Sequence, residues 1–427
     1  MLKRLVYYIK EYGFITFVSR VIKRSSCLIV SLLLSKVFSK KIDIEISRFV
    51  KKLPHVDSMV FSLPCLSYGG AELYIRNIAQ CVNQINSKIN IVFFITDNMG
   101  NINLSVLDNH PYIQVFVVRN YTKFSNLLSP SYFIRFIELS KPLILHNTLS
   151  ETVGRLIRFS HEKIRQSVKK IYASWFTYEV DKYGNTIDRT SSYILESLPY
   201  IDLVITDNNK FIQDTRVLLS KNLDNMQFDK IVTVYNACKI DINRLPLLDV
   251  LSCTLEKVDN FLWIGRLDHQ KNIGMLYCIA EMIPLANFYV YGSSIIGNEF
   301  INNKPSNVYL CGVELDIYKI IRERQYKAFI LTSLYEGLPN ILIEMGCFFI
   351  PIIAPDVGGV SELINNDTGF LLSSKPTVAE YINCIKSIDS NGEGVERKSA
   401  NLFELVKLRH SYASLRQNLI ELKYLDS

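Results

Sequence analysis

From residue 56 to residue 372, short and continuously apolar runs alternate with stretches whose apolar positions recur at helical spacing. The first set of runs covers 58–63, 89–96, 112–118, 142–146, 169–176, 202–206 and 231–235. They are apolar at successive positions rather than at every second one, which predicts parallel strands covered on both faces. Between the first two runs, Ala71, Tyr74, Ile75, Ile78, Ala79, Val82 and Ile85 fall on one helical face. The pattern weakens between Asn243 and Cys253, around Pro246. A second set then begins: 260–265, 287–292, 307–312, 327–332, 350–354 and 369–372, with a helical stretch at 273–282. The segment from Lys398 to about Leu425 reads as an amphipathic helical tail. The expected fold class is therefore α/β, two Rossmann-like doubly wound domains in succession. The expected boundaries are a leader at 1–52, an N-terminal domain at 53–245, a C-terminal domain at 246–397 and the tail at 398–427. In open sheets of this kind, ligands bind at the carboxyl ends of the strands, so the expected site lies in the cleft there.

Composition narrows the picture. A chain of 427 residues, 48% hydrophobic, exceeds one ordinary core and suits two. Its nine cysteines are odd in number and include no C-x-x-C pair, which argues for thiols in a reducing compartment rather than a disulfide frame or zinc knuckle. The longest uncharged run, Met282 to Asn298, contains Pro284, Asn287 and Gly292 and reads as no membrane span. No secretory signal pattern opens the chain, since Lys10 and Glu11 interrupt its apolar start. The expected location is cytoplasmic. The net charge of +7 is unevenly spread: residues 1–52 hold 12 Lys and Arg against 3 Asp and Glu, the remainder 36 against 38. In the leader these cations interleave with Leu5, Tyr8, Ile9, Phe14 and Phe17. Such a mixture suits an anionic membrane surface, at about 1 kcal/mol per nearby cation, and would place the protein peripherally at the inner face of the membrane. A helix packed on the body with a solvated basic face is the other reading. No basic stripe continues beyond it, so nucleic acid is not an expected partner.

Four loops that follow predicted strands hold the candidate chemistry. Tyr68-Gly69-Gly70-Ala71-Glu72 opens a helix, where glycines let backbone N–H groups approach an anion. Gly265-Arg266-Leu267-Asp268-His269-Gln270-Lys271 offers a planar cationic fork and a point charge for a diphosphate. Glu336-Gly337-Leu338-Pro339-Asn340 leads into a helix that contains Glu344, a pair of carboxylates suited to sugar and ribose hydroxyls. Pro355-Asp356-Val357-Gly358-Gly359-Val360-Ser361-Glu362 again presents glycines at a helix start.

In this order the motifs resemble those of the retaining glycosyltransferases of family four, over roughly residues 58–405. The resemblance implies the GT-B fold and a nucleotide-diphosphate sugar as donor substrate, with neither a metal nor another cofactor. It implies that Arg266 and Lys271 bind the diphosphate and, with Glu336, form the catalytic set. Glu336 would contact the donor sugar and Glu344 the ribose. Gly337, Leu338, Pro339 and Asn340 would form the turn whose amides approach the sugar and phosphates. Gly69 and Gly70 would close over the diphosphate near the acceptor. The implied reaction is glycosyl transfer with retention at the anomeric carbon, the cations stabilising the departing diphosphate.

The chain departs from the family where many members carry an acceptor-side histidine, because it reads Trp175-Phe176 there. Glu179, Asp181 and His146 are the candidates to substitute; His146 ends its predicted strand and would face the cleft. A second departure is Asn208, where serine often follows the strand. A hexosyltransferase of surface polysaccharide or lipopolysaccharide synthesis, acting on a lipid-linked glycan, is the leading expectation. The alternative is a non-catalytic nucleotide-sugar-binding relative or a partner subunit of a glycosyltransferase complex. A sugar-nucleotide epimerase or a phosphorylase on the same fold ranks below both.

Overall fold

The computed structural model describes residues 41–66, 69–96, 113–120, 131–180, 189–238, 259–293, 304–390 and 392–425. Most of the leader and the expected boundary at 245/246 lie outside them. The described strands form two parallel sheets. The first contains β1 (Ser58–Leu63), β2 (Asn90–Ile95), β3 (Ile113–Val117), β4 (Ile144–Thr148), β5 (Lys170–Ser174), β6 (Leu203–Thr206) and β7 (Ile231–Thr233), in the order β3-β2-β1-β4-β5-β6-β7. The second contains β8 (Asn260–Ile264), β9 (Asn287–Tyr291), β10 (Val308–Gly312), β11 (Ala328–Ile330), β12 (Ile352–Pro355) and β13 (Phe370–Leu372), in the order β10-β9-β8-β11-β12-β13. Each order runs outward, returns and runs the other way, so the expectation of two doubly wound sheets holds. The reversals lie between β1 and β4 and between β8 and β11.

The described chain falls into two compact units, one from 41–66 and 88–171, the other from 69–87 and 172–425. In the first, every residue of β1 and β2 is buried, as continuous apolar runs require. Phe94 is its aromatic centre, with ring centroids 5.0 Å from Phe116, 4.9 Å from Phe133 and 4.6 Å from Phe136. Residues 41–51 are helical and add Phe49, 5.2 Å from Phe116.

In the second unit, both faces of the six-stranded sheet are covered. Trp263, Phe261 and Phe288 pack with the helices Ile273–Met282 and Val378–Ser390 on one face. Leu262, Phe329 and Leu331 pack with Leu342, Ile343, Leu402 and Phe403 on the other. The helix Gly70–Ile85 belongs to this unit, where Tyr74 Oη donates to the Val234 carbonyl (2.7 Å).

Three details refine or differ from the sequence reading. The tail is two helices, Gly392–Arg409 and Tyr412–Glu421. The break is local: the Ser411 hydroxyl accepts from Ser414 N (3.0 Å) and starts the second helix. His410 turns inward and places Nδ1 2.8 Å from the Asn236 carbonyl. The fourth strand runs two residues past its expected end at His146. The glycines at 358–359 open a 3₁₀ turn, Gly358–Glu362, rather than an α-helix.

Candidate active site

The cationic loop begins where β8 ends. Gly265 N donates to the Tyr291 carbonyl and Leu267 N to the Ser293 carbonyl, each at 3.0 Å, so this loop lies against the one after β9. The approach requires Gly292, whose φ is +150° and where a Cβ would stand 1.8 Å from the Gly265 carbonyl oxygen. Asp268 then shapes the turn, because Oδ1 accepts from Lys271 N at 3.0 Å. Its Oδ2 lies 3.1 Å from Arg266 Nη2, which also donates to Gln270 Oε1 at 2.8 Å. The Arg266 side chain remains 54% exposed, a cation held in direction and open to solvent.

Gln270 ties this loop to the one after β11. Its carbonyl accepts from Leu334 N (2.8 Å), and its side chain donates to the Tyr335 carbonyl (3.0 Å). Thr332 Oγ1 donates to the Lys271 carbonyl (2.7 Å) and accepts from Trp263 Nε1 (3.0 Å). These anchors bring Lys271 Nζ onto Glu336 Oε1, with side-chain exposures of 16% and 7%. The ammonium retains two further N–H donors. Arg266, Lys271 and Glu336 thus share one loop pair in one unit, a cationic edge beside a buried carboxylate.

The turn after Glu336 is fixed from two sides. Gly337 O accepts from Gly359 N (2.8 Å), and Leu338 N donates to Asp207 Oδ2 (3.2 Å). Gly358 has φ +54°, and a Cβ there would stand 1.8 Å from the Glu336 carbonyl oxygen. Pro339 stands at the N-cap position of the helix Asn340–Gly346, where Glu344 sits partly buried a turn in. Pro339 has no N–H and the Leu338 N–H is engaged by Asp207, so Gly337 and Asn340 are the turn's candidates to face a donor. Asn340 accepts from Asn236 Nδ2 (2.7 Å) and donates to the Gly70 carbonyl (3.2 Å). Gly69 is the extended residue at the start of the helix Gly70–Ile85. Gly70 therefore meets the Glu336–Asn340 turn within the same unit, with Gly69 one residue before it.

The acceptor-side candidates separate. Glu179 is exposed, and its charge helps raise the Tyr335 phenol above its usual range, after burial, so it lies near the Tyr335-Glu336 loop. Asp181 lies outside the described residues. His146 is corrected: it sits mid-strand in β4, fully enclosed, 5.3 Å from the Phe61 ring, and burial lowers its pKa to about 3. Burial keeps it neutral and leaves no face of it open to a substrate. At the position of the missing histidine, Phe176 packs edge-on against Tyr74 at 5.3 Å.

Sequence reasoning missed Asp207 and Asn236. Each follows a short strand and sits in no glycine-rich motif; the one available signal was a carboxylate and an amide at strand ends. Asn208 is explained: its side chain caps the helix Asn209–Leu219, accepting from Phe211 N at 2.7 Å.

Residues 258–391 match the model of the family glycosyl transferases group 1. The uncharacterized glycosyltransferase MJ1059 of Methanocaldococcus jannaschii is 30% identical over 192 residues, 42% of this chain and 45% of that protein. The Vi polysaccharide biosynthesis protein VipC/TviE of Salmonella typhi is 43% identical over 56 residues, 13% of this chain and 10% of that protein. The chain thus spans less than half the length of these curated relatives. Among solved structures, Anabaena Alr3699/HepE in complex with UDP and glucose superposes with a TM-score of 0.66 at 14% identity, covering 86% of this chain and 100% of that one. The chain therefore has the two-sheet fold of the GT-B glycosyltransferases and, over residues 258–391, the sequence signature of glycosyl transferases group 1.

Proposed function

We propose that the protein is a retaining, metal-independent glycosyltransferase that moves a hexosyl unit from a nucleotide-diphosphate sugar to a glycan acceptor. The observation that carries this reading is the docking of the Arg266–Lys271 loop onto the Glu336 turn. A departing diphosphate needs cations already in place, and Arg266 and Lys271 supply them beside a buried acceptor for sugar hydroxyls. Glu344, a turn into the next helix, is the ribose contact. The partners are a nucleotide sugar and a lipid-linked glycan of surface polysaccharide or lipopolysaccharide synthesis. The Vi polysaccharide relative supports that class of product, and the structural neighbour holding UDP supports a uridine nucleotide as the first donor to try.

The test is a binding and hydrolysis panel of UDP-, GDP-, ADP- and dTDP-sugars, with Arg266→Ala as control. One donor should bind, and the control should lose about 10²-fold or more in kcat/KM. Binding that survives in the control would show the donor site to be wrongly assigned.

A second reading, a non-catalytic nucleotide-sugar-binding subunit, is favoured by Phe176 packing on Tyr74 where a histidine is common in the family. Turnover of any donor decides between the two. Peripheral attachment at the inner membrane face through residues 1–52 rests on their charge. No helix among the described residues is long and apolar enough to cross a membrane. Removing residues 1–50 should abolish flotation with anionic vesicles, and unchanged partitioning would rule the attachment out.

A further inference from the structure

We propose that Asp207 is a positioning residue for the donor turn Glu336–Asn340, its ionised carboxylate holding the Leu338 amide so that Glu336 stays against Lys271. This rests on the reading above only for its catalytic consequence; the structural part stands alone. Asp207 follows β6 directly and is 9% exposed. Its two oxygens have separate tasks: Oδ2 accepts from Leu338 N at 3.2 Å, and Oδ1 accepts from Asn208 Nδ2 at 2.6 Å. The carboxylate also closes the space beside Gly337, where a Cβ would stand 2.9 Å from Oδ1 and 3.2 Å from Phe176 Cβ. Asn208 braces the opposite side, since a Cβ on Gly359 would meet its Cβ at 2.5 Å. The Leu338 amide is gripped from β6 and the Gly337 carbonyl from the Gly358–Glu362 turn. Glu336 lies immediately before both grips.

The ionised carboxylate makes the stronger grip, because a charged acceptor binds an amide about twice as well as a neutral one. The charged and titratable groups that face Asp207 are Glu362, from the 3₁₀ turn, and Tyr74, from the helix Gly70–Ile85. Glu362 accepts from Lys210 N (2.8 Å) and the Tyr235 hydroxyl (2.6 Å). Tyr74 holds its proton well above its usual range. Among the described residues no cation forms a salt bridge with Asp207. Burial, helped by the Glu362 charge, raises the Asp207 carboxyl to about 7. The grip on the turn therefore changes strength near neutrality.

Hydrogen exchange of the ligand-free, full-length protein tests this without a substrate. Where the turn opens locally and Asp207 stays buried, opening costs the carboxylate only the Leu338 amide, so peptides spanning 336–342, corrected for intrinsic exchange, should be about fivefold better protected at pH 8 than at pH 6. Asp207→Asn keeps an acceptor of the same shape and should remove the pH dependence. Glu362→Gln should move the wild-type midpoint to lower pH, a response that a merely structural role does not produce. Protection independent of pH in the wild type, or unchanged in Asp207→Asn, overturns the proposal. With a donor from the panel, wild-type kcat/KM should fall about fivefold on the acid side of a midpoint near 7 and be flat in Asp207→Asn, while UDP binding changes by less than twofold. If no donor turns over but exchange behaves as stated, the positioning role stands and the glycosyltransferase reading fails.

Discussion

Lys271→Met is the sharpest single test of the site's energetics. The wild-type pair is largely withdrawn from water, with 16% of the Lys271 side chain and 7% of the Glu336 side chain exposed. Removing the ammonium leaves the Glu336 carboxylate buried without its cation. Breaking a buried pair from one side costs about 3–5 kcal/mol, because the surviving charge is desolvated and uncompensated. The pair is not wholly enclosed, the Lys271 side chain keeping 16% of its surface in water, so the lower end, about 3 kcal/mol, is expected for this site. Replacing both partners by apolar groups of similar volume, Lys271→Met with Glu336→Leu, removes the orphaned charge and should return the protein to within about 1 kcal/mol of wild type. The double-mutant cycle thus predicts a coupling of at least about 2 kcal/mol. Urea denaturation, followed by the fluorescence of the two buried tryptophans, Trp175 and Trp263, the latter in the core beside the loop, reads it. Donor binding should be lost in all three variants, which separates function from fold. Single and double variants whose costs simply add would refute the reasoning, and the pair would then have to be treated as a solvated surface contact.

Two further predictions follow from the same geometry. Asp207 binds a proton more tightly in the fold, at about 7, than in the unfolded chain, at 3.8, so its contribution to stability is fully present below about 4 and lost as pH rises through 7. The displacement corresponds to about 4 kcal/mol, and Asp207→Asn should melt a few degrees above wild type at pH 8.5, the gap narrowing as pH falls through 7 and closing only near pH 4; a constant or reversed gap refutes it. Gly358→Ala forces a Cβ to within 1.8 Å of the Glu336 carbonyl oxygen at φ +54°, so it should cost at least about 2 kcal/mol of stability and weaken donor binding. A variant with wild-type Tm would show that the turn has another accessible shape.

Much of this protein is legible along the chain. β1 and the helix Ile273–Met282 match their predicted limits because apolar periodicity is local and strong there. The loops at 265–271 and 336–344 are legible for a different reason: glycine, proline and charged residues at strand ends signal turns, and the fold brings these two together. The misses are equally local in origin. His146 looked like a strand end because the next two residues, Asn147 and Thr148, are polar; both are nevertheless buried, and the strand continues through them. The break at His410 is hard to read along the chain because helical sequence lies on both sides of it and only the Ser411 cap marks the restart.

The sequence by itself determined the two doubly wound sheets, the order of the loops and the presence of two cations in one strand-end loop and two carboxylates in another stretch, since hydrophobic periodicity and turn chemistry act over a few residues. Tertiary structure alone decided which of those groups meet. Asp207 grips Leu338 across 131 positions and Asn340 reaches Gly70 across 270. The Cβ-free approaches at Gly292 and Gly358 likewise depend on neighbours distant in the chain. Desolvation also belongs to the folded state: it raises the Asp207 carboxyl to about 7 and lowers His146 to about 3, two shifts of opposite sign with one cause. No local pattern encodes them, because burial disfavours charge of either sign only after the surrounding chain has excluded water.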